Sequence, residues 1–422
     1  VTIQPEFEPG YILTGIKAVS GEAELELTKD QDSGCYTFTM PDGDVTVTAE
    51  YSKIASAGNG TEASPYQISS VKELESFRDA VNSGISFEGQ YLELINDISI
   101  PQDGNNSNWV SIGLKRTINQ IPHSYPFSGT FDGGGHSIQG LYIIDEVSDA
   151  DSRAALFGLA DGAVIKDLTV SGTISVAKQS NAGMISEATD TLISGCTSGL
   201  SITARNNVGG IVGNASGKMT ISGCSNNGSL MGKGGIGGIV GLLSTASEAV
   251  VSECTNTGNV NHQSPGGGII ANCTSSTGSV TVQKCSNSGK IAGSISSGGI
   301  VCYTPEKGTL TIDACYNTGN VASSYASGFG ATAGGIISKL SSGTICTMSS
   351  CYSVGEVNAT YDDSHSNLTY SHGQLIGYLD SSDPKITNSY YVRDFSGSSS
   401  EVPTVIVGEK VSEEDLKNLA DG

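Results

Sequence analysis

Side chains able to serve as general acids and bases occur in two places in this sequence. The first is the stretch FDGGGH, which contains Asp132 and His136. Glycoside hydrolysis requires two carboxylates across a groove, and a polysaccharide lyase requires acids that hold calcium together with an Arg or Lys base. A single Asp among glycines fits a tight turn better, because its side chain accepts hydrogen bonds from the turn backbone. We therefore predict a structural role for Asp132 and His136.

The second place is the polar stretch NATYDDSHSNLTYSHG. Its candidate functional residues are Tyr361, Asp362, Asp363, His365, Tyr370 and His372. The paired Asp and the later His are similar to motifs of polygalacturonase-like enzymes, but no Asn-Thr-Asp precedes the pair and no Arg-x-Lys follows the His. The stretch interrupts a regular repeat, and insertions in repeat proteins form loops where partners bind. We predict these residues as a binding loop and predict no catalytic residue.

The elements that must position these residues repeat along most of the chain. An apolar position beside glycine or another small residue returns at Leu156, Met184, Ile211, Ile239, Ile269, Ile300, Ile336 and Leu375. The steps between these positions are 28, 27, 28, 30, 31, 36 and 39 residues. Such a period indicates stacked units that bury their apolar faces against their neighbours. We expect about ten coils of three short strands each, with strands roughly 4.8 Å apart.

Cysteine recurs at one phase of this repeat. The six residues concerned are Cys196, Cys224, Cys254, Cys285, Cys315 and Cys351. Strands stacked in register keep equivalent side chains parallel, which disfavours disulfides between neighbouring coils. We therefore predict a column of buried free thiols. We predict no metal site and no cofactor, since the sequence has no CxxC pair and its five histidines are scattered.

Asparagine and glycine follow the cysteines at fixed distances. Asparagine lies two residues past the cysteine at Asn226, Asn256, Asn287 and Asn317. This spacing predicts an asparagine ladder, in which side-chain amides bond from coil to coil. The glycines after the cysteines are Gly228, Gly258, Gly289, Gly319 and Gly355. They predict turns whose backbone conformation is strained for other residues.

Charge and composition exclude several classes of partner. The net charge is −22, yet residues 181–360 contain seven acidic and seven basic residues. Nucleic acids and anionic membranes require a basic patch, and the sequence has no cluster of Lys and Arg. No run of eighteen apolar residues predicts a membrane span. The chain opens in a strand-like segment without a starting Met, so we expect the signal and anchor of an exported monomer to lie outside it.

The ends of the chain depart from the repeat. Residues 1–52 alternate apolar and polar positions, and PGYILTGIKAVSG with YTFTMPDGDVTVTAEY resembles the InlB-type B-repeats of bacterial surface proteins, which implies a small β-grasp-like domain. Residues 53–65 are predicted to be a linker. A capping box at Ser70 and Glu73 predicts a helix that covers the N-terminal end of the stack. Residues 411–422 predict the start of a C-terminal capping helix with Ser412 as its N-cap.

The order of motifs over roughly residues 64–396 resembles that of exported bacterial proteins with GLUG repeats, and the β-helix is predicted at residues 66–410. The pieces are SPYQISSVKELESFRDAV, LINDISI, PFSGTFDGGGHSIQGL and ALFG, and the glycine-rich core returns twice as GIVG. This resemblance implies an all-β fold, a right-handed parallel β-helix. The handedness comes from the resemblance alone.

Taken together, these features predict a non-catalytic extracellular protein of the bacterial surface. We expect a rigid β-helical stalk or adhesin, whether cell-bound or secreted, that presents a binding face to a glycan or a host protein. The alternatives are a carbohydrate-active β-helix enzyme that uses the carboxylates of the insertion, and an accessory region of a secreted peptidase. The second alternative is implied by the GLUG motifs of some Gram-positive immunoglobulin A1 proteases.

Overall fold

The computed structural model describes residues 1–5, 10–29, 35–102, 104–118, 120–144, 153–177, 181–245, 247–274, 276–324, 331–360, 371–380, 383–393 and 407–420. Within these residues the chain is mostly short strands, and it forms a parallel β-solenoid of about eight turns. Each complete turn contributes strands to four parallel sheets, which we call faces 1 to 4 in the order in which the chain visits them. Right-handed coiling stays a prediction.

Faces 1 and 2 flank the glycine-rich motif. Face 1 contains Arg153–Ala154, Asn181–Ala182, Val208–Gly209, Ile236–Gly237, Gly266–Gly267, Ser296–Gly298, Thr332–Gly334 and Ser371–Gly373. Face 2 contains Phe157–Asp161, Ile185–Thr189, Val212–Ser216, Val240–Ser244, Ile270–Asn272, Val301–Tyr303, Ile337–Leu340 and Ile376–Leu379. The glycine-rich motif is therefore the corner between these two faces.

Face 3 precedes the cysteine column and face 4 follows it. Face 3 contains Tyr66–Ile68, Tyr91–Leu94, Thr130–Asp132, Val164–Lys166, Leu192–Ser194, Met219–Ser222, Glu248–Ser252, Ser279–Gln283, Gly308–Asp313, Thr344–Ser349 and Lys385–Thr387. Face 4 contains Ile98–Ser99, Ser137–Ile144, Thr169–Ser175, Thr197–Ala204, Ser225–Asn226, Leu230–Gly232, Thr255–Asn256, Val260–His262, Ser286–Asn287, Ile291–Ser294, Tyr316–Asn317, Val321–Ser324, Tyr352–Ser353, Val357–Ala359, Tyr390–Tyr391 and Glu409–Lys410. A hairpin of Leu114–Ile118 and Ile121–Tyr125 lies outside the four faces.

Two numerical expectations are corrected by this topology. The estimate of about ten coils is too high for faces 1 and 2, which have eight described strands each, whereas face 3 has eleven. The three additional strands of face 3 belong to the N-terminal end, where described strands on faces 1 and 2 begin only at Arg153 and Phe157. The estimate of three strands per coil is too low, because Gly210 and Ile211 bend the chain and divide the glycine motif between two faces.

The interior of the solenoid consists of columns of one residue type per turn. The apolar corner residues, such as Ile239 and Ile269, are fully buried. The six cysteines of the predicted column are buried and free, which confirms the thiol column. Each thiol is positioned by the local backbone, as at Cys224, whose Sγ lies 3.3 Å from the carbonyl oxygen of Ser222.

The asparagine ladder is confirmed. The Nδ2 atom of Asn226 donates to Oδ1 of Asn256 at 2.8 Å, and the same bond follows from Asn256 to Asn287 and from Asn287 to Asn317 at 2.7 Å. Each Nδ2 also donates to a carbonyl oxygen of its own turn, such as that of Gly258 at 2.9 Å from Asn256. The buried amides are therefore satisfied both within a coil and between coils.

The reason predicted for the glycine column is wrong. None of the five glycines after the cysteines has a left-handed backbone. They are required because the coils approach closely: a Cβ atom on Gly258 would lie 1.9 Å from the carbonyl oxygen of Gly228. The left-handed turn instead falls on the residue before each cysteine, and Glu253, Lys284 and Ala314 adopt it with φ of 56°, 53° and 50°.

The second glycine of each corner packs directly against the asparagine ladder. A Cβ atom on Gly238 would lie 2.4 Å from Cγ of Asn256 and 2.0 Å from the carbonyl oxygen of Gly268. Likewise, a Cβ atom on Gly268 would lie 2.6 Å from Cγ of Asn287. Glycine is therefore the residue that fits between the ladder and the next coil.

The N-terminal end of the stack is closed by a helix. This helix spans Val71–Asn82, and its N-cap Ser70 accepts a hydrogen bond from the Glu73 amide at 3.4 Å. The Glu73 carboxylate accepts from the amide of Ser69 at 2.8 Å, one residue earlier than in the predicted box. The helix residue Phe77 is fully buried and stacks on Phe131 of face 3 at 5.8 Å between ring centroids. These contacts support the predicted capping role.

Residues before the helix form two small antiparallel sheets. One contains Thr2–Ile3, Thr28–Lys29 and Tyr36–Thr37, and the other contains Tyr11–Ser20, Ala23–Leu25 and Thr46–Lys53. The segment predicted as a linker is packed rather than extended, because Ile54 and Ala55 are fully buried and Ala57 pairs with Gln67. The division into domains stays a prediction.

The last described element is a helix at the C-terminal end. It spans Glu413–Ala420, and Ser412 Oγ accepts a hydrogen bond from the Asp415 amide at 3.0 Å. The Asp415 carboxylate in turn accepts from the hydroxyl of Ser412 at 2.6 Å. Ser412 is therefore the N-cap, as predicted, and Asp415 completes a reciprocal cap.

Replacing Gly268 with alanine tests the fit between corner and ladder. The added Cβ atom would lie 1.9 Å from the carbonyl oxygen of Gly299, so the coils must move apart. We expect Gly268→Ala to lower the free energy of unfolding by about 3 kcal/mol, as for an overpacked core, measured by urea denaturation. The matched control is Gly199→Ala on face 4, where the nearest atom would be 3.4 Å away. Equal losses in the two variants would contradict the account.

A second prediction concerns the buried His262. Its Nε2 atom lies 2.9 Å from Oγ of Ser297, and burial lowers the pKa of His262 to about 4 from an ordinary value of 6.5. The folded state therefore excludes a proton that the unfolded chain binds below pH 6.5. Its stabilising contribution is complete above pH 6.5 and decreases as the pH falls toward 4, by up to about 3 kcal/mol.

The measurement is urea denaturation at pH 4.5 and pH 7.5 for the wild type and for His262→Asn. We expect the wild type to lose more stability at the lower pH than the variant does, because asparagine has no proton to bind. The difference between the two proteins removes the contribution of all other titrating groups. The same loss in both proteins would show that His262 does not carry this pH dependence.

Candidate functional site

The FDGGGH stretch forms the tight turn that its sequence predicts. Asp132 Oδ1 accepts a hydrogen bond from the Gly134 amide at 2.8 Å, and Oδ2 pairs with Lys166 Nζ at 2.6 Å. This ion pair raises the pKa of Lys166. His136 Nδ1 lies 3.4 Å from a carboxylate oxygen of Asp97. Both oxygens of Asp132 are thus engaged by the turn and the neighbouring coil, which supports its structural role.

The predicted binding loop lies mostly outside the described residues. This applies to Tyr361, Asp362, Asp363, His365 and Tyr370, and their binding role stays a prediction.

The sixth predicted residue, His372, lies on a face 1 strand in register with Ala333 rather than in a loop. Its side chain is fully buried, and burial lowers the pKa of His372. The sequence Ser-His-Gly occupies the phase that Thr-Ala-Gly occupies one coil earlier, at residues 332–334. The alternation of the strand therefore directs this imidazole into the solenoid.

Among the described residues, an aromatic column on face 4 is the surface best suited to binding. The first residue of each strand after the cysteine is a small polar residue at Ser225, Thr255 and Ser286, and then becomes Tyr316 and Tyr352. The rings of these two tyrosines are stacked, with centroids 4.9 Å apart and planes within 4°. The next residue in register is Tyr390, as set by the pairing Tyr352 with Tyr390.

A cavity of about 760 Å³ lies beside this column. Its lining residues are Thr318, Asn320, Ser350, Cys351, Tyr352, Val354, Gly355, Asn388, Tyr390, Arg393, Leu416 and Lys417. The last two belong to the C-terminal helix, which therefore forms one wall. Small-molecule sites in proteins typically enclose about 300–1,000 Å³ and combine apolar surface with a few polar groups. The size and composition of the cavity match such a site.

Stacking on Tyr316 fixes the orientation of the Tyr352 ring beside the cavity. Two parallel rings with centroids 4.9 Å apart cannot lie side by side in one plane, so one face of Tyr352 is covered by Tyr316. The cavity is lined by Tyr352 and Tyr390 but not by Tyr316. It also reaches Thr318 and Asn320 of the coil that carries Tyr316. Burial also raises the pKa of Tyr352, which keeps its hydroxyl protonated at neutral pH.

The charged groups of the cavity are both cations. Arg393 Nε donates to the carbonyl oxygen of Val354 at 2.7 Å, which anchors the guanidinium at the rim. Lys417 adds a second positive charge from the helix, and the lining contains no carboxylate. This local excess of positive charge contrasts with the net charge of −22 of the whole chain. The cavity is therefore suited to an anionic group.

The sequence analysis assigned binding to the loop tyrosines Tyr361 and Tyr370 and did not predict the cavity. The available signal was the replacement of Ser or Thr by tyrosine after the cysteine in ACYN and SCYS, and after the equivalent serine in NSYY. Arg393 and Lys417 carried no such signal, because both lie beyond the last regular repeat.

Neither a metal-ligating group nor a membrane-spanning helix is found in the described part of the chain. No group of three His, Cys, Asp or Glu side chains is placed there to hold a metal ion. No described helix is long and apolar enough to cross a membrane.

Comparisons with known proteins give one distant sequence relative and several solved structures at low identity. No family model matches the chain, so the GLUG and B-repeat resemblances stay predictions. The chain is 28% identical over 207 residues to halomucin of Haloquadratum walsbyi, a match that covers 49% of this chain and 2% of that protein.

Among the solved structures that match, one is a Bacteroides ovatus protein named for an immunoglobulin A1 protease. Its TM-score is 0.49 at 16% identity, and the match covers 87% of this chain and 90% of that chain. A second is named IgA1 protease, with a TM-score of 0.46 at 14% identity over 87% of this chain and 31% of that chain.

Proposed function

We propose that this chain is a non-catalytic part of an extracellular surface protein, in which a rigid solenoid presents a binding face to a glycan or a protein. The observation that carries the proposal is the cavity beside Tyr352 and Tyr390, where tyrosine replaces the small polar residues of face 4. Over the preceding coils the equivalent outward positions hold Ser225, Thr255 and Ser286. Binding is expected where a solenoid departs from its repeat.

The interior of the solenoid supports a mechanical role. Coils are joined by backbone pairing on four faces and by the asparagine ladder inside the stack. Because each coil contacts its neighbours through the same groups, the stack resists bending over its length. Such a scaffold holds a site at its C-terminal end at a fixed distance from its N-terminal cap.

An extracellular location has independent support. The similarity over about half of the chain to the protein named halomucin agrees with it. The chain spans only 2% of that relative, so the activity and partners of the whole protein remain proposals. The neutral repeat region, with seven acids and seven bases in residues 181–360, suits a solvated scaffold better than a polyanion-binding surface.

The proposal is tested by binding and turnover measured on the same protein. The chain is applied to an array of immobilised glycans and extracellular proteins, and each bound glycan is then assayed for release of reducing ends or unsaturated products. We expect specific binding without turnover. Product release above a heat-denatured control would establish a carbohydrate-active enzyme instead, and absence of binding to every glycan and protein would refute the presented binding face.

A further inference from the structure

We propose that the cavity on face 4 binds an oligosaccharide that carries a carboxylate, with one sugar ring against Tyr352 and the carboxylate between Arg393 and Lys417. This proposal rests on the proposed function and deepens it, because it names the site and the class of ligand. It is independent of the predicted loop at residues 361–370.

The aromatic wall favours a ligand with a flat apolar face. Tyr352 stacks on Tyr316 and lines the cavity, so the stack holds the ring in place before a ligand arrives. A preorganised ring loses little conformational entropy on binding. The apolar face of a sugar ring can pack against such a ring while the sugar hydroxyls remain free for hydrogen bonds.

The polar groups around the ring fit the hydroxyls of a sugar. Asn320 and Asn388 provide side-chain amides that both donate and accept, and Thr318 provides a hydroxyl. Thr318 Oγ1 donates to the carbonyl oxygen of Asn287 at 3.4 Å, and Asn320 Oδ1 accepts from the Glu356 amide at 3.0 Å. The lone pairs of Thr318 Oγ1, the NH2 group of Asn320 and the side-chain amide of Asn388 keep further hydrogen-bonding capacity. They are therefore available to a ligand whose surface alternates donors and acceptors.

The two cations define the acidic group. Arg393 is anchored through Nε to the carbonyl oxygen of Val354, which leaves its terminal nitrogens available for a planar carboxylate. Lys417 approaches from the C-terminal helix, on a different wall. A single carboxylate matches this pair better than a nucleic acid does, because nucleic acid binding requires many neutralised phosphates along a basic surface.

The volume limits the length of the bound segment. About 760 Å³ accommodates a few sugar units rather than a long chain or a folded partner. An acidic peptide shares the carboxylate but lacks a rigid ring with a polar rim, so it serves as the competing ligand in the test.

The experiment uses titration calorimetry with two matched pairs of probes. One pair is the galacturonate trimer and its methyl ester, and the other is sialyllactose and lactose, so that each pair differs mainly in charge. We expect at least one acidic member to bind about tenfold or more tightly than its neutral partner, as for a charge-assisted hydrogen bond. A glutamate peptide of similar charge is expected to bind more weakly than that acidic sugar.

Three variants locate the site. Arg393→Gln with Lys417→Gln removes both charges and should abolish the preference for the acidic sugar. Tyr352→Ala should weaken the acidic and neutral sugars alike, whereas Tyr352→Phe retains the ring and should bind nearly as the wild type does. The control is Lys233→Gln, an exposed lysine elsewhere on the solenoid that should leave binding unchanged. Urea denaturation confirms that each variant is folded.

The outcomes separate this inference from the proposed function. Equal binding of acidic and neutral sugars, tighter binding of the glutamate peptide, or wild-type binding by the Arg393 and Lys417 variant would each overturn the assigned ligand class or site. If none of the four sugars binds while the array detects another glycan or a protein, the inference fails and the presented binding face stands.

Discussion

The contact between a corner glycine and a ladder asparagine controls the arrangement of the coils. In each central coil the asparagine side chain lies against the second glycine of the corner, and the same asparagine bonds to its equivalent in the next coil. A larger corner residue would displace the ladder, and a different ladder residue would leave a buried amide without its partner. The two motifs therefore specify one register together, and the thiol column and both flanking faces follow that register.

The C-terminal end shows what happens where this contact is lost. The ladder position holds Ser353 after Asn317, and the corner position holds Gln374 after Gly335. The outward position beside the cysteine changes from Ser286 to tyrosine one coil earlier, at Tyr316, and holds tyrosine again at Tyr352. The regular interior thus ends near the place where the exterior becomes aromatic and cationic, so that the scaffold and the proposed binding cavity occupy successive parts of one stack.

Much of the scaffold could be predicted because the repeat fixes the phase of each residue. The thiol column and the asparagine ladder follow from positions relative to the cysteine. The glycines after the cysteines were attributed to a strained turn conformation, which is wrong. Sequence spacing does not show that the carbonyl oxygen of Gly228 approaches Gly258. The cavity escaped prediction for a related reason: Arg393 and Lys417 lie beyond the repeat, and their proximity to Tyr352 depends on how the C-terminal helix packs.

The most direct test of the coil-to-coil register is hydrogen exchange of asparagine side-chain amides, followed by NMR on selectively labelled protein. The account predicts that the Nδ2 protons of Asn256 and Asn287 exchange at least about a hundredfold more slowly than those of the exposed Asn261, because they are buried and bonded to the next coil. Exchange of Asn256 and Asn287 at the rate of Asn261 would contradict it.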